Sequence, residues 1–131
     1  MLHKWSCKVA GILLIILLSG GCLLGVGAAL GVGTYQWMEG TMAKDYPRKM
    51  EPTYRACVEA CKIMKLKIDK ESYGPTRSTI AATSTDGSAV NIELIARPND
   101  ITTVKVRFGF MGNKDQSAYF HRTVMKYLGI Q

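Results

Sequence analysis

Between Lys8 and Glu39 the chain has no charged side chain, although its 131 residues include seventeen bases and ten acids. All ten acids and fifteen of the bases fall from Glu39 onward, so a mean hydropathy of +0.04 describes neither part. Such a length fits one globular domain with an appendage and excludes two domains. Histidine is scarce, limited to His3 and His121, and the cysteines are only Cys7, Cys22, Cys57 and Cys61. No zinc-type ligand set can be assembled from so few soft donors. The CxxCH of attached haem, the Gly-x-Ser-x-Gly elbow of a serine hydrolase and the Lys-Ser/Thr ending of a phosphate loop are all missing. The sequence therefore predicts no cofactor and no metal, and a binding or structural module rather than an enzyme, with a small hydrolase or thiol-dependent enzyme as the less favoured alternative. A net charge of +7 suits an anionic surface nearby but is too weak for a nucleic-acid binder.

What is present begins with MLHKWSCK, which places Lys4 and Lys8 ahead of the apolar stretch VAGILLIILL. A basic start followed by a short apolar run is the form of a secretory signal. Ser19, Gly20 and Gly21 then lead directly into Cys22, an arrangement that resembles the lipobox of bacterial lipoproteins. Ser19 stands where that family usually has leucine, with Leu18 one place earlier. The resemblance implies that the Cys22 thiol is acylated, that the chain is cut before it, and that Cys22 becomes the amino terminus; three acyl chains would then make detachment negligible. Leu23, where an aspartate signals inner-membrane retention in enteric bacteria, points to the outer membrane. An uncleaved anchor is the alternative, since Val9 to Met38 is long enough to span ~30 Å of hydrocarbon. In both readings Lys4 and Lys8 hold the amino end inside and place the domain outside the cytoplasm. The resulting division is a signal over 1–21, a Gly/Ala-rich apolar tether over 22–33 and a small α+β domain over 34–131.

Within that domain TYQWMEGTMAKDY reads as one strand, with Tyr35 and Trp37 on one side and Met38, Gly40 and Met42 on the other. A helix follows, with Pro52 in its first turn and an apolar stripe through Met50, Tyr54, Cys57, Cys61 and Met64. LKIDKESY ends at Gly74-Pro75, RSTIAATST turns at Asp86-Gly87 into AVNIELIAR, and ITTVKVRFGF puts Val104, Val106, Phe108 and Phe110 on one face. Asn113 and Gln116 have capping-box spacing ahead of a last helix whose apolar side carries Phe120, Val124, Tyr127 and Leu128. The predicted order is β-α-β-β-β-β-α, a two-layer sandwich in which an antiparallel sheet carries both helices on one face. The lipobox, the Gly/Ala tract, TYQWMEGTMAKDYP, the Asp-Gly hairpin and TTVKVRFGFMGNKDQS together resemble the small bacterial lipoproteins grouped as domain of unknown function 3568. That resemblance implies a compartment and a fold, and no reaction.

The functional candidates are few. Cys22 is the lipidation site. Arg97, Lys105 and Arg107 project from the solvent side of the last two strands toward an anionic surface, and Lys62, Lys65, Lys67 and Lys70 gather near the end of the first helix. Cys57 and Cys61 stand one turn apart, with Cβ atoms ≈ 5–6 Å apart where a disulfide needs ≈ 3.5–4.5 Å, so they read as packed thiols. His121, one turn after Ser117, reads as a partly exposed packing or capping residue. FGFMGNKD reads as a turn with a cap. The implied partners are membrane lipid through the acyl anchor, together with an envelope protein or anionic envelope polymer. The sequence leaves the oligomeric state open.

Overall fold

The computed structural model describes residues 35–130, so the expectations for the signal, the tether and Cys22 lie outside the described residues. Six strands and two helices follow in chain order: β1 (Gln36–Met38), β2 (Thr41–Tyr46), α1 (Met50–Ile63), β3 (Lys67–Ser72), β4 (Arg77–Thr83), β5 (Ala89–Arg97), β6 (Ile101–Phe108) and α2 (Lys114–Leu128). All pairings are antiparallel and the spatial order is β1-β2-β6-β5-β4-β3. Both helices lie on one face, so the α+β sandwich stands as predicted with one strand added.

The addition is a hairpin at the start. Glu39 and Gly40 have φ of +51° and +85°, which closes a two-residue loop of the kind whose twist matches that of its flanking strands. Trp37 thereby pairs with Met42. The two share a face, contrary to the expectation from a single continuous strand. The turn was hard to foresee because glutamate seldom occupies a left-handed position.

The core comes from strict alternation in the strands. Met42, Lys44 and Tyr46 of β2, Ser78, Ile80 and Ala82 of β4, Val90, Ile92 and Leu94 of β5, and Thr102, Val104, Val106 and Phe108 of β6 all point to the helices. From the other layer α1 buries Met50, Thr53, Ala56, Cys57, Ala60 and Cys61. All but Met50 are small side chains, which lets α1 settle against α2 and the sheet. The helix α2 contributes Ser117, Phe120, His121 and Val124. Phe120 meets Phe108 edge to face, with ring centroids 6.4 Å apart.

Helix ends are closed by local chemistry. Asn113 Oδ1 accepts from the Gln116 amide at 3.0 Å, the predicted cap. At the far end of α2, Gly129 takes φ +71° while the amides of Gly129 and Ile130 donate to Lys126 and Met125. Two other expectations change. Phe110 lies beyond the end of β6 and is almost fully exposed, and Tyr127 of α2 is half exposed. The reason for Phe110 is Gly109, whose φ of +76° ends the strand's alternation just before it.

Candidate functional site

Among the described residues, two helices cover one face of the sheet and leave the other open. Its middle rows can be read from the register: Ala43, Lys105, Glu93, Thr79 and Ser72 lie side by side across β2, β6, β5, β4 and β3, and Arg107, Asn91, Ala81 and Lys70 form the next row. Because Ala81, Thr79 and Asn91 are short, the rows sink between the long bases. The result is a shallow open trough of about 460 Å³ bordered by Lys70, Lys105 and Arg107. Lys70 and Arg107 are three strand spacings apart, about 14 Å. Glu93 is the one acid in the trough, and it leans toward Arg77 at 3.8 Å.

The three cations singled out in the sequence share this face without meeting at one point. Arg97 is level with Ile101 and Arg107 is six residues further along β6, about 20 Å away. Arg97 Nε donates to Thr103 Oγ1 at 3.1 Å, and Thr103 in turn donates to Asp45. Arg107 is turned toward the end of its strand, donating from Nε to the Gly109 carbonyl at 3.3 Å and from Nη2 to the Phe110 carbonyl. Lys105 stands between the two and also borders a second hollow, of about 720 Å³, with Arg97, Thr103 and Met38. Lys70 is the trough residue that sequence reasoning placed elsewhere, with the lysines at the end of α1. A bulge between Ile68 and Lys70 resets the strand and turns Lys70 onto the open face beside Ala81.

A second polar group sits inside the fold. His121 is fully buried, not partly exposed as expected: Nδ1 is 2.7 Å from the Tyr46 hydroxyl and Nε2 is 3.0 Å from the Met42 carbonyl. Lys44, only 3% exposed, places Nζ 4.9 Å from the centre of the Tyr35 ring and 5.9 Å from that of Tyr46. Burial pulls the His121 pKa down to about 4 against the opposing hydrogen bond to Met42, and Lys44 lowers it further. Burial also lowers Lys44 and raises the Tyr46 hydroxyl. The imidazole is therefore neutral near pH 7, with both nitrogens engaged. Ser117 Oγ is buried with no hydrogen-bond partner among the described residues.

Cys57 and Cys61 are free and fully buried. Burial, followed by each thiol's anionic or thiol neighbour, raises Cys57 well above the ordinary thiol value and Cys61 to about 12. Neither is a reactive thiolate. The FGFMGNKD segment is a turn leading into a cap, as its glycines and Asn113 suggested.

A family model for proteins of unknown function, DUF3568, matches residues 6–127. The chain belongs to this family. Among curated proteins no significant match is found. The DUF3568 match takes in the apolar run, Cys22 and almost all of the domain. Among the described residues of this DUF3568 chain, no helix is long and apolar enough to cross a membrane, and no three His, Cys, Asp or Glu side chains stand together for a metal.

Proposed function

We propose that this DUF3568 protein is a cell-envelope lipoprotein held by acylated Cys22 on the outer membrane, and that its domain is a binding or structural module without catalysis. The observation that carries the module reading is the open sheet face: three bases border a trough whose one acid already leans on another base. An extended anionic polymer of the envelope suits such a surface, since bases spaced along neighbouring strands meet charges spaced along a chain. His121 supports a non-catalytic role, because its nitrogens are committed to Tyr46 and Met42 and no solvent reaches it. The anchor is supported by the basic start, the short apolar run and the small residues before Cys22.

Two measurements test this. Intact mass of the chain extracted from membranes is expected to equal residues 22–131 plus acyl chains, whereas a Cys22→Ala variant keeps Met1; retention of Met1 in both sinks the anchor. Retention on immobilised lipopolysaccharide, eluted with a salt gradient, is expected to fall at least tenfold in a Lys70→Ala/Lys105→Ala/Arg107→Ala variant that unfolds like the parent. Unchanged retention sinks the trough as the binding face.

A further inference from the structure

The end of the sheet bearing the β1–β2 turn holds apolar side chains out in water. Phe110 and Met111 are 90% and 85% exposed, and Met38, beside the turn, is 70% exposed. The turn that follows Met38 and the turn that carries Phe110 and Met111 meet backbone to backbone at Gly40 and Gly112: a methyl on Gly112 would overlap the Gly40 carbonyl oxygen, and one on Gly40 would fall 2.7 Å from that of Met111. Arg107 braces the loop through the Gly109 and Phe110 carbonyls, with its guanidinium 5.9 Å from the centre of the Phe110 ring. Three large exposed apolar groups borne by two touching turns mark a contact surface.

We propose that Met38, Phe110 and Met111 form a tip that dips into the lipid surface and sets the orientation of the domain on it, a role that rests on the anchoring of the chain through Cys22. The shape favours lipid over protein. The tip is a projecting turn, with two unbranched thioethers and an aromatic ring that adapt to acyl chains and headgroups. Within four residues of the tip along the chain the two bases Arg107 and Lys114 are matched by the two acids Glu39 and Asp115, so apolar contact rather than headgroup attraction supplies the attachment. Thirteen residue steps separate Cys22 from Tyr35, which span at most about 45 Å, and β1 adds about 10 Å to Met38. Tethering at that range holds the tip at high effective concentration near the bilayer. Three side chains are too few to bind from solution, where even one myristoyl chain is marginal, so the tip acts only once the anchor is in place.

The test uses the lipidated full chain in vesicles of phosphatidylethanolamine and phosphatidylglycerol, carrying an environment-sensitive dye at Met111→Cys or, at the opposite end of the sheet, Pro98→Cys. Cys57 and Cys61 are buried and stay unlabelled. Brominated lipid is expected to quench the dye at 111 several-fold more than at 98. Phe110→Ser is expected to reduce that quenching by at least half while flotation with the vesicles persists. Weak and equal quenching at both sites with flotation intact overturns the tip and leaves the anchor standing. A dye at 111 shielded from iodide but untouched by brominated lipid means that protein covers the tip, and this too overturns it. Loss of flotation by the unsubstituted chain overturns the anchor, and the tip with it.

Discussion

His121 shows how a single residue can set a pH dependence. Above its ordinary value of 6.5 the imidazole is neutral in the folded and unfolded chain alike, and contributes no slope. Between about 6.5 and about 4 the unfolded chain takes up a proton that the folded chain refuses, so stability falls as pH falls through that window. A depression of this size is worth about 3 kcal/mol by pH 4. Urea unfolding at pH 7 and pH 4.5 is expected to show most of that loss in the parent, and a much smaller one in His121→Phe, which is already less stable at pH 7 because Tyr46 and Met42 lose their partner. An equal slope in both would show that other groups carry it. Exposure likewise separates the methionines. Dilute peroxide is expected to oxidise Met38 and Met111 well before Met42 and Met50, which are 2% and 6% exposed, with peptide mass spectrometry giving the order.

The turns decide how the elements meet. Gly112 combines φ +80° with a backbone contact that leaves no room for a methyl, whereas Gly87 has φ +89° and nothing within 4 Å. Gly87→Ala is therefore expected to lose only the left-handed strain of about 1 kcal/mol. Gly112→Ala adds displacement of the β1–β2 turn and is expected to lose about 3 kcal/mol. Denaturant midpoints of the two variants check the ranking, and equal losses would mean that the Gly40 contact is not firm. The amino-terminal cap of α2 was legible because Asn113 and Gln116 act over three residues. The β1–β2 turn was not, because Glu39 accepts a left-handed conformation only through pairing of the strands on either side of it.

At the scale of the whole molecule, the core joins strand residues from four of the six strands to a stripe on each helix, and the two thiols report on its integrity. Cys57 and Cys61 are out of reach of solvent and their pKa values are raised, so alkylation requires opening of α1 from α2 and the sheet. Trapping with a thiol reagent is expected to be slow in the folded chain, and both cysteines are expected to react together at a rate that rises with denaturant. Fast reaction at Cys61 alone would show that the end of α1 frays independently.

The sequence by itself determined which residues share a face of β5 and, as far as Phe108, of β6, most of the stripes of α1 and α2 and the α+β class, because periods of 2 and 3.6 residues are local properties of the backbone. It also placed Arg97, Lys105 and Arg107 on one side of the sheet. Only the tertiary structure decided that they spread along it instead of converging, that a bulge brings Lys70 beside them, and that the turn after Met38 meets the turn of Phe110 and Met111 at two glycines. The burial of His121 was decided in the same way, since its partner Tyr46 lies 75 residues away and a polar group is taken out of water only where a partner is already waiting.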